Sequence, residues 1–122
     1  MKKILLVDDE VDVTELMQNF LEHSGYTVMT ANRAKNALEL VELEKPTVVF
    51  LDIVMPDIEG SEIARRIKAH PVLQRIPVVF MTATVTTEEV QDTGGFIGGQ
   101  PFLAKPVSVD QLLRCIEEQI GR

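Results

Sequence analysis

The sequence predicts a doubly wound α/β domain, a parallel five-stranded sheet with helices on both faces. Three observations point there. Short apolar runs alternate five times with segments of helical periodicity along 122 residues. The third run, Thr47-Val48-Val49-Phe50-Leu51, is continuously apolar and rich in branched or aromatic residues, as a strand covered on both faces should be. Each return to a parallel neighbour needs a crossover, and right-handed crossovers place helices on both faces.

The elements follow in order. Ile4-Leu5-Leu6-Val7 is the first strand, and Leu16, Met17, Phe20 and Leu21 mark a helix that Gly25 closes. Thr27 to Ala31 fits the second strand. Ala34, Ala37, Leu38 and Val41 give the second helix an apolar face until Pro46 ends the segment. After the third strand a helix runs from about Ser61. Pro77 introduces the fourth strand, Val78 to Met81, and a short fifth fits Phe102-Leu103-Ala104. Ser108 and Gln111 form a capping-box pattern for a last helix with Val109, Leu112, Leu113, Ile116 and Ile120 on one face.

A chain of 13.6 kDa buries a core without metal or disulfide staples, so residues 1–122 are expected to form one domain. No stretch approaches the ~20 apolar residues of a membrane span. Asp8, Asp9 and Glu10 cut the first apolar run below signal-peptide length. A soluble, cytoplasmic chain is expected, and the single cysteine, Cys115, suits a reducing compartment. A net charge of −7 without a Lys/Arg stripe argues against direct nucleic-acid binding.

Ligands of open α/β sheets bind outside the carboxyl ends of the strands, so the polar residues that follow each apolar run are the candidates. Asp8 and Asp9 follow strand one, Asp52 ends strand three, Thr82 ends strand four and Lys105 follows strand five, whereas Ala31-Asn32 offers nothing ionisable. In a 2-1-3-4-5 order these strand ends are adjacent. Three carboxylates gathered there repel one another, by roughly 3 kcal/mol for a pair about 5 Å apart at an effective dielectric near 20. A cation resolves the repulsion, and oxygen-only ligands select a hard ion such as Mg2+. A carboxylate is also a nucleophile toward phosphorus, with a metal and an ammonium neutralising the transferring oxygens. Asp52, alone at its strand end, is the candidate acceptor, and Asp8 and Asp9 are the candidate metal ligands.

The acidic pair in Leu5-Leu6-Val7-Asp8-Asp9, the turn Asp52-Ile53-Val54-Met55-Pro56 with Gly60 beyond, Thr82-Ala83, and Phe102-Leu103-Ala104-Lys105-Pro106 together resemble the receiver domain of two-component response regulators over the whole chain. The resemblance implies a (βα)5 flavodoxin-like fold. It implies that Asp8, Asp9, Asp52 and the backbone carbonyl of Val54 surround Mg2+, and that Asp52 is phosphorylated by a sensor histidine kinase or a histidine phosphotransfer protein. It further implies that Thr82 and Lys105 contact the phosphoryl oxygens, that Phe102 is the switch aromatic, and that the Lys105-Pro106 bond is cis. The output surface would lie around the fourth helix, fifth strand and fifth helix, facing a downstream protein or domain.

Taken singly, each residue has a plainer explanation: Asp8 or Asp9 as a helix cap, Asp52 as a turn former, Thr82 as a cap, Lys105 as a solvated charge, Phe102 as core. His23 and His70 sit in no cluster of metal-ligand spacing and read as surface or satisfied residues. Four strand ends converging on one chemistry favour the joint reading. An aspartate-nucleophile phosphohydrolase would need a second carboxylate two residues past the nucleophile, where this chain has Val54. A nucleotide or flavin module would need a glycine-rich turn where Asp8-Asp9-Glu10 stands. A receiver acting only as a phosphorylation-independent docking surface is the remaining alternative.

The segment between Thr82 and Lys105 departs most from the receiver pattern. Gly94, Gly95, Gly98 and Gly99 would cost a continuous helix roughly 4 kcal/mol, at about 1 kcal/mol each, so the fourth helix is expected to be short, irregular or mobile. Two readings stay open there: a fixed loop whose glycines supply positive φ, or a segment that interconverts easily.

Overall fold

The computed structural model describes residues 2–52, 60–82, 96–97, 100–104 and 107–120. The elements are β1 (Lys3–Val7), α1 (Val11–His23), β2 (Thr27–Ala31), α2 (Ala34–Glu44), β3 (Val48–Asp52), α3 (Gly60–Ala69), a 3-10 turn (Leu73–Arg75), β4 (Val78–Thr82), β5 (Phe96–Ile97), β6 (Gln100–Ala104) and α4 (Val109–Ile120). Strands β2, β1, β3, β4 and β6 are parallel in that order, the predicted 2-1-3-4-5 sheet.

Alternation along the strands divides the core into two layers. Leu5, Val7, Val49, Leu51, Val78, Phe80 and Phe102 pack with Ala37 and Val41 of α2 and with Ile63, Ala64 and Ile67 of α3. Ile4, Leu6, Val48, Phe50, Val79 and Met81 pack with Leu21 of α1 and with Leu112, Cys115 and Ile116 of α4. Helices therefore cover both faces, and β3 is buried along its whole length.

The helix ends bear out the local signals. Gly25 has φ of +97°, which a side chain rarely adopts. Its N–H reaches the Glu22 carbonyl and the Tyr26 N–H reaches that of Leu21, a Schellman closure of α1. At α4, Ser108 N–H donates to Gln111 Oε1 at 2.8 Å and Gln111 N–H donates to Ser108 Oγ at 3.1 Å, the reciprocal capping box.

A sixth strand was not foreseen. β5 pairs antiparallel with the start of β6, Phe96 opposite Pro101 and Ile97 opposite Gln100, while Phe102 to Ala104 pair with β4. Only Gly98 and Gly99 separate the paired residues, and Gly-Gly is a favoured two-residue hairpin loop. Pro101 is tolerated because it precedes the ladder with β4. Residues 83–95, where the fourth helix is expected, lie outside the described residues.

Burial pushes the Cys115 thiol up to about 11, with the Glu118 carboxylate adding to the effect. At pH 8 only about one such thiol in a thousand would be thiolate, against roughly a quarter for a free cysteine near 8.5. Alkylation of the folded chain at pH 8 should therefore be slower than that of the urea-unfolded chain by on the order of a hundredfold, and should accelerate as the pH rises toward 11. Equal rates would show that Cys115 is accessible.

Candidate functional site

The first strand ends in a turn fastened at Asp8 and Glu10. Asp8 donates its N–H to the Ala31 carbonyl at 3.1 Å, and its own carbonyl accepts from the side-chain amide of Asn32 at 2.9 Å. Its Oδ1 accepts the N–H of Glu10 at 3.0 Å. The Glu10 carbonyl then accepts both the N–H of Thr14 and the buried Thr14 hydroxyl, the latter at 2.8 Å. Asp8 is held 2% exposed, whereas Asp9 and Glu10 face solvent. The helix-cap reading is thus half true of Asp8: one oxygen secures the entry to α1, as an Asx turn does.

The carboxylates of Asp8, Asp9 and Glu10 bring ligand oxygens within 4.8 Å of one another. All donors are oxygen, without histidine or cysteine, which is the chemistry of a hard divalent cation. The turn could hold a metal ion, and Glu10 is a member of the cluster that was not counted among the candidate ligands.

Asp52, the last residue of β3, is 5% exposed. Val7 lies opposite Leu51, so Asp8 and Asp52 come one step further along neighbouring strands, on the sheet face that Leu6 and Phe50 share by the period of two. Thr82 ends β4, one residue past Met81, which is opposite Asp52, and Thr82 is itself opposite Ala104. The structure thus brings the ends of β1, β3, β4 and β6 to one edge. Phe102 is 3% exposed and sits opposite Phe80 in the layer of α2 and α3. Val54, Lys105 and the Lys105-Pro106 bond lie outside the described residues, as does the Thr82 side chain.

Sequence reasoning also passed over Asn32, dismissed for lacking a charge. Its side chain positions the backbone of Asp8, and the available signal was an amide at a strand end beside the acidic pair.

Because Asp9 is exposed, Asp9→Asn should leave the metal-free fold unchanged. Mg2+ at about a hundred times its Kd stabilises a fold that holds it by about 2.7 kcal/mol. We expect Mg2+ to raise the melting temperature of the parent chain and to do so far less in Asp9→Asn. Identical Mg2+ responses would take Asp9 out of the metal site.

Comparison with known proteins places these features in a family. The family model described as response regulator receiver domain matches residues 4–117. The nisin biosynthesis regulatory protein NisR of Lactococcus lactis is 35% identical over 120 residues, which are 98% of this chain and 51% of that protein. The alkaline phosphatase synthesis transcriptional regulatory protein PhoP of Bacillus subtilis is 36% identical over 108 residues, 88% of this chain and 43% of that one. The chain spans about half the length of these relatives. Among solved structures, the chemotaxis response regulator CheY4 of Vibrio cholerae superposes with a TM-score of 0.83 at 25% identity, covering 98% of both chains.

Proposed function

The chain belongs to the response regulator receiver domain family of two-component signalling, and we propose that residues 1–122 act as one Mg2+-dependent phosphoryl switch with Asp52 as acceptor. The observation that carries this is the buried carboxylate of Asp52 at the strand end beside the fastened acidic turn, level with Asp8 across the β1–β3 ladder. Receivers of this family are signalling switches that work with histidine kinases and downstream effectors.

In the proposed reaction an Asp52 oxygen attacks the phosphorus of a phosphohistidine on a sensor kinase or phosphotransfer protein. The new P–O bond makes an acyl phosphate, the P–N bond breaks, and its electron pair leaves with the imidazole. Asp8 and Asp9, with Asp52 and the carbonyl of Val54, would hold Mg2+, which when bound neutralises charge on the transferring oxygens. Glu10 adds negative charge beside them. Lys105 supplies a fixed cation and Thr82 a hydroxyl donor toward the phosphoryl oxygens. Burial of Asp52 keeps bulk water from the acyl phosphate. Phe102, already packed inside, would report occupancy by shifting the layer it shares with α3, biasing an output surface around the predicted fourth helix, β6 and α4.

Burial supports this reading over a docking module that takes no phosphate, because carboxylates gathered at one edge repel one another and a cation relieves that repulsion. Among the described residues no helix is long and apolar enough to cross a membrane, and we place the chain in the cytoplasm beside its kinase. The deciding experiment presents the chain to a panel of phosphorylated histidine kinases with Mg2+ and reads transfer and the occupancy of Asp52. Transfer by none of them, together with no labelling by a small phosphodonor, would leave the phosphate-independent docking reading.

A further inference from the structure

The connection between α3 and β4 is fastened at both ends by side chains from the end of α3. His70, the residue after α3, accepts at its ring Nδ1 from the backbone N–H of Val72 at 3.1 Å and of Leu73 at 3.3 Å. Lys68 closes the other end, its ammonium donating to the carbonyls of Gln74 at 3.1 Å and Ile76 at 2.6 Å. Between them runs the 3-10 turn Leu73–Arg75. Leu73 is the one buried side chain from residue 70 to residue 77, and it belongs to the same apolar layer as Ile67, Phe80 and Phe102. The fastening therefore sets how the connection is seated in the layer that holds Phe102.

An imidazole nitrogen accepts a hydrogen bond only while it carries no proton, and a protonated ring has two donors and no acceptor. Two backbone N–H groups aimed at Nδ1 require a neutral ring with its hydrogen on Nε2. A proton added at Nδ1 would face both donors. From this geometry we infer that the α3–β4 connection is a proton-operated latch, closed by neutral His70 and released when the ring is protonated, which loosens Leu73 in the layer it shares with Phe102. His23 provides the contrast: its Nδ1 faces the Asn19 carbonyl at 2.7 Å, so that nitrogen donates and the bond survives protonation.

The charged groups around His70 come from three elements. Glu42 and Lys45, at the end of α2, line one surface hollow with His70, Val72 and Leu73. Lys68 belongs to α3, and Arg75 to the turn itself. The latch thus answers to protons at the end of the sheet opposite Asp52 and needs no phosphate to operate.

The test follows amide hydrogen exchange of Val72 and Leu73 by NMR in the whole chain, corrected for intrinsic exchange, while the His70 ring resonance is titrated in the same samples. Protection should fall roughly tenfold, the scale of an ordinary helix cap, with the midpoint of the ring titration. His70→Asn keeps a side-chain acceptor that does not titrate, and should hold protection constant across the same range. His70→Ala should show low protection at every pH. Protection that ignores the ring titration, or a His70→Asn chain that loses protection just as the parent does, would overturn the latch.

Discussion

Replacing Asp52 by alanine should abolish phosphoryl labelling of the chain while leaving it folded. The fold at that position is fixed by backbone pairing of Asp52 with Met81 and by Val48 to Leu51, all fully buried, none of which depends on the carboxylate. Removing one negative group from an acidic edge relieves repulsion, so the variant should stay folded without divalent cations. The chemistry has no such reserve. An aspartyl phosphate needs a carboxylate that reaches the phosphorus, and Asp9, exposed on its turn, is expected to stay with the metal. A small phosphodonor with Mg2+ should give the parent one acid-stable, base-labile group by intact mass, and Asp52→Ala none. Equal labelling of the folded variant would move the acceptor elsewhere and undo the assignment.

The parts of the molecule legible in the sequence are those where one residue type answers one local need. The apolar run from Val48 to Leu51 had to be a central strand because both of its faces are covered, and it is buried throughout. Gly25 and the Ser108–Gln111 pair work through contacts within a few residues, so their roles could be read without the fold. The candidate site was legible for a different reason: the rule that parallel sheets bind ligands at their carboxyl ends turns a list of strand-end residues into a neighbourhood.

What escaped depended on partners far away in the chain or on reading one signal in two ways. Asn32 matters through a bond to Asp8, 24 residues earlier, which no periodicity reveals. The glycines from Gly94 to Gly99 were read as helix breakers, yet Gly98-Gly99 between Ile97 and Gln100 is also a sequence signal for a hairpin, and the residues on either side of it pair antiparallel as β5 and β6. His70 was read as a surface or satisfied residue, but what satisfies it, two backbone donors at one ring nitrogen, is visible only in three dimensions.

The largest loss of stability from a single truncation is expected at Phe50. It is fully buried in the middle of β3, between β1 and β4, opposite Leu6 on one side and Val79 on the other. Its ring lies in the layer that joins α1 and α4 to the sheet, with Leu21, Leu112 and Ile116. A central strand paired on both edges cannot easily shift to fill the space that Phe50→Ala would open, so the transfer and cavity costs add, at about 3–5 kcal/mol. Against a total of about 5–15 kcal/mol for a domain, that is a large fraction of the whole, and the melting temperature should fall by roughly 10–20 °C. Leu43→Ala is the matched control, because Leu43 is 76% exposed on α2 and its truncation should change stability by about 0.5 kcal/mol or less. Urea unfolding of both variants should show the midpoint moving for Phe50→Ala at nearly constant slope. If the two variants unfold at similar urea concentrations, Phe50 is not at the centre of the core and the packing of α1 and α4 on β3 is wrong.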